Sequence, residues 1–297
     1  MKKTFITGGS GFLGRNIKEI IKRSGGKIVV YDRNIPSEKE KDVTYVQGDI
    51  CDLEKMRKAI KGCDVFFHIA AIADIDEANS KPVETMEVNV AGTAKCLLAA
   101  KEAGVKRFVF ASSAYAAGNL GSFYRVSKLA GEHLCKTFSK EYNLPFTIVR
   151  YGSLYGRYAT GSNFIHRLCE EALKSGSFRH YGTGEEIREY IHVKDAARET
   201  VNIAETKEYK NKTLLITGHQ RVCVKDIFDI LSEILGKKIK INYHNQKGNL
   251  HYKSTPWSFE SEVPVRINMR DYIDISEGIH LCLRDAHDHL KKEEVQN

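Results

Sequence analysis

One run near the N-terminus limits this chain more than any other: Thr7-Gly8-Gly9-Ser10-Gly11-Phe12-Leu13-Gly14. It reads as Gly-x-Gly-x-x-Gly from Gly9 and as Thr-Gly-x-x-Gly-x-x-Gly from Thr7. The run follows a short apolar stretch, Lys3–Thr7, and opens an amphipathic one, Phe12–Arg23. Glycines there permit a tight strand-to-helix turn and a close backbone approach. The new helix offers unbonded N–H groups and the positive end of its dipole. Such a turn suits a pyrophosphate, with Gly8, Gly11, Phe12 and Leu13 as candidate contacts. Asp32, about twenty residues on, ends the second apolar stretch, where a carboxylate accepts both hydroxyls of an adenosine ribose and repels a 2′-phosphate. That favours NAD over NADP. Arg33 is a further candidate contact, and its guanidinium is also able to hold a 2′-phosphate. The competing interpretation is a glycine turn used only for packing.

The first half of the chain alternates apolar and amphipathic runs. Lys3–Thr7, Lys27–Tyr31, Val43–Val46, Val65–Ile69, Phe108–Ala111 and Phe146–Val149 are predicted strands. Phe12–Arg23, Leu53–Lys61, Val83–Ala103 and Tyr124–Tyr142 are predicted helices. This order implies right-handed crossovers and an α/β fold, a doubly wound parallel sheet with its site at the carboxyl ends of the strands. After Arg150 glycines loosen the pattern, and a smaller C-terminal α/β region that binds substrate is expected. Strands Ile187–His192 and Thr213–Thr217 and helices Lys194–Glu205, Lys225–Leu235 and Asp274–Lys292 are predicted there. Tyr243–Arg270 has no clear period and reads as loops over a ligand. The implied division is 1–152, with 187–217 returning to it, for the dinucleotide-binding domain, and 153–186 with 218–297 for the substrate-binding region.

Composition narrows the class. The net charge of +8 favours anionic ligands, but the cations are spread along the chain, so nucleic acid is not expected as a partner. Seven cysteines without a Cys-x-x-Cys pair imply reduced thiols in a cytoplasmic setting. No apolar run approaches the ~20 residues of a membrane span, and no signal-peptide pattern is present. His287-Asp288-His289, with His280, is a poor metal site, because His287 and His289 face different sides of a helix; no metal is expected. Trp257, Ser258 and Phe259 read as packing residues, with contact to a nucleotide base as the alternative.

Tyr124 and Lys128 stand four apart on a predicted helix and share a face, and Ser113 ends the strand before them. A free tyrosine, with a pKa of ~10, is a poor base at neutral pH. A neighbouring ammonium and a cationic nicotinamide favour its phenolate. Tyr124 would then take a hydroxyl proton while hydride leaves the same carbon. Lys128 would hold the nicotinamide ribose and tune Tyr124, and Ser113 would hydrogen-bond the reacting oxygen. The competing interpretation is a surface tyrosine and a solvated Lys128–Glu132 pair, also four apart.

Taken in order, Thr7–Gly14, Asp32, Gln47–Ile50, His68–Ala71, Asn89–Thr93, Ser112-Ser113 and Tyr124–Lys128 resemble the extended short-chain dehydrogenase/reductases. Within that group the chain is similar to the NAD-dependent sugar-nucleotide epimerases and dehydratases. Arg150–Gly156 and Gly182–Val193 carry the resemblance into the C-terminal half. It implies a Rossmann-type fold, NAD as cofactor, a nucleotide sugar as substrate, and a homodimer formed through the Val83–Ala103 and Tyr124–Tyr142 helices. Asp49 and Ile50 would lie by the adenine. Ala70, Ala71, Asn89 and Ser112 would line the cofactor channel. Ser113 would face the sugar, and Arg188 would pair with the diphosphate; apart from the resemblance, Tyr115 is a candidate pocket residue or a packed aromatic. Ser153 stands where the family often has Asn. Structural readings compete: Arg188 as a surface ion-pair member, Asn89 as a turn hydrogen-bonder, Asp49 as a cap.

The residue after Ser113 bears on the reaction. Sugar 4,6-dehydratases similar to this chain carry an Asp-Glu pair there, decarboxylases tend to have Glu, and 3,5-epimerase-reductases use Cys. This chain has Ala114-Tyr115, which disfavours all three. The remaining machinery is one base and one hydride acceptor. It suits C4 epimerisation through a 4-keto intermediate, or a one-way C4 dehydrogenase or reductase. A non-catalytic NAD-binding sensor or scaffold is the alternative of another class. The linker from Ser113 to Tyr124 is short, which implies an open pocket or an unusual sugar.

Overall fold

The computed structural model describes residues 2–244, 251, 253–255 and 264–296, the last four as backbone only. In chain order the elements begin β1 (Lys3–Thr7), α1 (Phe12–Arg23), β2 (Lys27–Asp32), β3 (Val43–Gln47), α2 (Leu53–Ala59) and β4 (Val65–His68). There follow α3 (Ile75–Ser80), α4 (Pro82–Met86), a π-helical turn (Glu87–Ala91), α5 (Gly92–Glu102), β5 (Arg107–Ser113), a 3-10 turn (Ala114–Ala117), α6 (Ser122–Tyr142) and β6 (Phe146–Tyr151). Next come β7 (Ser153–Tyr155), α7 (Phe164–Ser175), β8 (Ser177–Tyr181), β9 (Ile187–Arg188), β10 (Tyr190–His192), α8 (Val193–Glu205) and β11 (Lys212–Ile216). The chain ends with β12 (Val222–Cys223), α9 (Val224–Leu235), β13 (Lys240–His244), β14 (Val265–Arg266) and α10 (Ile275–Gln296).

These elements form two compact units. The first holds the chain up to Tyr151, then Ala197–Ile216 and the β14 segment. Among the described residues its sheet has eight strands in the order β14-β11-β6-β5-β4-β1-β2-β3. Every pairing is parallel. This is the doubly wound, Rossmann-type α/β sheet that the alternation implies. Strand order reverses at β1, so a crevice opens where β1 and β4 end, the topological switch point of such sheets. Helices cover both faces, which is why β4 and β5 are buried along their whole length and show no in–out alternation. Phe5, Phe66 and Phe108 meet across β1, β4 and β5 with ring centroids 4.9 Å apart at each step. Each ring so buried contributes on the order of 2–3 kcal/mol. On α1, Leu13, Ile17 and Ile21 form the buried stripe. Arg107, at the start of β5, donates to the carbonyls of Ile203 and Thr206 at 3.4 and 3.2 Å and so closes the C-terminal end of α8.

The second unit holds Gly152–Ala196, Thr217–Thr255 and Asn268–Asn297. Its core joins Leu168 and Cys169 of α7, Ile227, Phe228 and Leu231 of α9, and Ile279 and Cys282 of α10, with Phe178 of β8. β8 and β13 pair in parallel beside it. Trp257, Ser258 and Phe259 lie outside the described residues. All seven cysteines are free thiols. No helix among the described residues is long and apolar enough to cross a membrane.

The structure adds α3, β7, β8, β12 and β13, and β14 lies in the Tyr243–Arg270 stretch read as loops; three further differences have local reasons. The single helix predicted over Val83–Ala103 is broken by the π-helical turn, since hydrophobic period does not register one widened turn. The strand predicted over Ile187–His192 is two short ones: β9 runs antiparallel to β12, and β10 parallel to β7. Helix α7 was not anticipated, although its signals are present. Asn163 caps it by accepting from His166 N at 3.3 Å, and Gly176 ends it at φ +64°.

Gly131 of α6 lies against the sheet, and a Cβ there would stand 2.3 Å from Phe110 Cζ. Gly131→Ala is expected to cost about 1–3 kcal/mol, read from urea denaturation. An unchanged midpoint would show that Phe110 yields freely.

Candidate active site

The glycine turn stands at the end of β1, with backbone against backbone. Gly8 has φ +71°, and a Cβ on it would lie 2.7 Å from Ala70 N. A Cβ on Gly14 would lie 2.1 Å from Gly8 O. Side chains are therefore excluded where the first turn of α1 meets the end of the strand. The Oγ of Ser10 is buried with no hydrogen-bond partner. Ser10 N donates to Asp32 Oδ2 at 3.0 Å, and Asp32 Oδ1 accepts from Asn34 N at 3.0 Å. The carboxylate thus sits beside the turn, as a ribose acceptor must. A cradle that any Cβ would fill, an orphaned hydroxyl and an adjacent carboxylate fit the pyrophosphate and adenosine ribose of a dinucleotide.

The other sequence-predicted cofactor residues have varied places. Arg33 is exposed and Phe12 partly so, while the Leu13 side chain joins the buried face of α1. Ala70 and Ala71 follow β4 and are partly exposed; Ala70 N donates to Thr7 O at 3.1 Å. Asp49 Oδ1 accepts from Cys51 N at 2.8 Å, which organises the turn before α2. Ile50 is a core residue packed over Gly92. Asn89 is buried in the π-helical turn, where its Oδ1 accepts from Ile72 N at 2.8 Å and its Nδ2 donates to Ile72 O at 2.9 Å.

Asn89 belongs to a buried polar chain that motif reading did not resolve. Thr7 Oγ1 meets His68 Nδ1 at 2.8 Å, and His68 Nε2 meets Thr93 Oγ1 at 2.9 Å. Thr93 Oγ1 donates to Asn89 O at 2.6 Å. Asn89 Nδ2 donates to Ser127 Oγ at 3.0 Å, and Ser127 Oγ donates to Tyr124 O at 2.7 Å. The chain links the glycine turn to the helical turn that carries Tyr124. Burial, with the charge of Lys128 adding to it, pulls the His68 pKa down to about 3, so the ring is neutral.

The second cluster lies at the carboxyl end of β5. Lys128 is buried, and its Nζ donates to Ala111 O at 2.8 Å. The ammonium stands 5.3 Å from the Phe110 ring centroid and 5.6 Å from that of Tyr124. Burial lowers the Lys128 pKa to about 8, and the charge of Glu132 opposes that shift. Tyr124 is buried and meets the Tyr115 ring edge-on at 6.3 Å. Ser113 is buried at the strand end, and its Oγ accepts from Tyr115 N at 3.3 Å. The short linker folds as the 3-10 turn, then reverses at Gly121 (φ +106°) to start α6. Ser113, Tyr115, Tyr124 and Lys128 are thereby gathered at the end of β5. The solvated Lys128–Glu132 pair does not form, because both residues are buried and Glu132 turns to Arg150 and Ser112.

Ser153 and Arg188 belong to the second unit. Ser153 N donates to Glu189 O at 3.2 Å, and Arg188 Nη1 donates to Ile187 O at 3.1 Å. Among the described residues no group of three or more His, Cys, Asp or Glu is placed to hold a metal.

Residues 4–216 match the model of the NAD dependent epimerase/dehydratase family. The chain is 25% identical over 304 residues to a UDP-glucuronate 4-epimerase of Thermodesulfobacterium geofontis, covering 92% of this chain and 93% of that protein. It is 29% identical over 234 residues to a UDP-N-acetyl-alpha-D-glucosaminuronate decarboxylase of Bacillus cytotoxicus, covering 69% and 72%. Its fold matches that of a UDP-glucuronic acid 4-epimerase of Bacillus cereus, solved with UDP-glucuronic acid and NAD, at a TM-score of 0.85 and 24% identity, covering 97% and 99%.

The neutral His68 has a consequence for stability. Its folded pKa of about 3 lies below the ordinary value of 6.5, so between those values the unfolded chain binds a proton that the native one does not. Stability from this site is complete above pH 6.5 and falls as pH drops, by at most about 1.4 kcal/mol per pH unit. Urea denaturation at pH 7.0 and 5.0 should show this loss in the wild type and a smaller one in His68→Gln. Equal losses in the two proteins would show that His68 titrates normally.

Proposed function

We propose that this chain, which belongs to the NAD dependent epimerase/dehydratase family, oxidises and re-reduces a sugar hydroxyl of a nucleotide sugar, with C4 epimerisation as the net reaction. Its cofactor is NAD, as in the family, and the cradle at Gly8–Gly14 with Asp32 suits it. The observation that carries the reading is the buried Lys128 ammonium beside the Tyr124 ring at the end of β5, at 5.6 Å from its centroid. When bound, NAD supplies the hydride acceptor and donor.

The remaining chemistry belongs to the chain. Lys128 places a positive charge where the Tyr124 phenolate forms and so makes the phenol a competent base near neutral pH. Tyr124 takes the proton of the C4 hydroxyl, and Ser113 donates a hydrogen bond to the oxygen as it becomes a carbonyl. Once the ketone has turned over, return of the proton through Tyr124 together with return of the hydride to the opposite face of C4 gives the C4 epimer. Release of the 4-keto sugar instead gives the one-way oxidoreductase. Tyr115, Ser153 and Arg188 are proposed substrate contacts, with Arg188 for the diphosphate. The relatives named above include both an epimerase and a decarboxylase. Ala114, with no acid or base in its side chain, favours the reaction that needs only Tyr124.

Purified protein with NAD and a panel of UDP- and dTDP-sugars, followed by proton NMR, should yield C4 epimers. Tyr124→Phe should lower turnover by about 10²–10⁴-fold while NAD binding persists. A variant with undiminished turnover removes Tyr124 as the base, and accumulation of a ketone selects the one-way reaction.

We also propose a homodimer through α4, α5 and α6. Val83 (70% exposed), Val126 (50%) and Phe123 (39%) leave apolar surface on α4 and α6. Light scattering should give twice the chain mass, and a monomer mass would exclude the dimer.

A further inference from the structure

Glu132 lies one turn beyond Lys128 on α6 and has no part in the proton transfer just described. It is 3% exposed. Arg150 of β6 donates to it twice, Nε to Oε1 at 2.8 Å and Nη2 to Oε2 at 2.8 Å. Ser112 of β5 donates its hydroxyl to Oε1 at 2.5 Å. Ser112 and Arg150 are register partners across β5 and β6, so both reach α6 from the same side of the sheet. As packing alone this arrangement is poor value, because an apolar pair of equal volume often stabilises a core as well as a buried ion pair or better. Its neighbours point to another use. Ser112 immediately precedes Ser113, and Lys128 is the next group along the same face of α6.

We propose that Glu132 is a positioning residue for the Tyr124–Lys128 pair: it keeps the buried Lys128 side chain in its ammonium form and, through Ser112, fixes the end of β5 that presents Ser113. Arg150 holds the carboxylate in place, and its own charge is not among those that act on the Lys128 proton, whereas that of Glu132 is. Of the titratable groups around the pair, Tyr124 is the phenol on which it acts and Arg150 is the cation bound to Glu132. His68 on β4 is neutral, and Tyr124 and Cys135 share α6. Burial raises the Cys135 thiol well above its ordinary range, so it too is neutral. After burial itself, Glu132 is the group that acts on the Lys128 proton, and it acts to retain it.

The proposal rests on the Tyr124–Lys128 reading of the reaction, but part of its test does not need turnover. The full chain, made with lysine ¹³C-labelled at Cε, is titrated by NMR, with Lys128 assigned by its loss in Lys128→Met. Wild-type Lys128 should titrate near the value of about 8. In Glu132→Gln its proton affinity should fall about tenfold or more, at least one pH unit. Should the lone Arg150 charge prevent folding, the double variant Glu132→Met/Arg150→Met removes both charges and is expected to shift Lys128 in the same direction. An unmoved Lys128 titration in either folded variant overturns the proposal. In turnover, the alkaline limb of kcat/KM should move to lower pH by the same amount. A loss equal at every pH, with the limb unmoved, assigns Glu132 to structure only and also overturns it. If the wild type turns over no nucleotide sugar, the functional reading fails, while the Lys128 titration still decides the role of Glu132.

Discussion

Backbone-on-backbone contact at the end of β1 is the constraint from which the first unit is built. Gly8 meets Ala70, and Gly14 meets Gly8, at distances that leave no room for a Cβ. Only with these contacts does α1 start directly over the sheet, with Asp32 of β2 and Ala70 after β4 on either side of the turn. The strand order reverses at that point, and so the crevice opens there. A larger residue at Gly14 would meet Gly8 O and separate α1 from the strand, moving the helix N-terminus away from the crevice.

The electrostatics around that crevice follow from burial. Three kinds of polar group are taken out of water within one unit, and each is handled differently. His68 is kept neutral between two threonine hydroxyls, so it positions without charge. Lys128 keeps a proton at reduced affinity, held by a carbonyl oxygen and two ring faces. Glu132 and Arg150 neutralise each other with paired hydrogen bonds. Of these, Lys128 is the one whose charge lies beside the Tyr124 ring, 5.6 Å from its centroid.

Much of this was legible in the chain itself, for an identifiable reason. Turn glycines, the carboxylate after the second strand, and a tyrosine and lysine one helical turn apart are all local patterns. Their meaning depends on a strand-helix-strand order that hydrophobic period reports well. The helix over Val83–Ala103 shows the limit. Its period hides a π-helical turn whose purpose is to aim Asn89 at Ile72 and Ser127, partners that stand far from it in the chain. The split of Ile187–His192 into β9 and β10 has the same origin, since each half answers to a different partner strand.

Sequence alone determined the α/β class and the doubly wound parallel sheet, put a glycine turn at the end of the first strand, and set Tyr124 and Lys128 on one helix face, because local spacing dictates turns and helix faces. Only the tertiary structure decided which charges are buried and with whom. Glu132 is four residues from Lys128, a spacing that reads as a solvated ion pair. The register of β5 against β6 instead delivers Arg150 and Ser112 to its carboxylate and leaves Lys128 on the carbonyl of Ala111. Strand register and burial are properties of the packed sheet, and no stretch of neighbouring residues contains them.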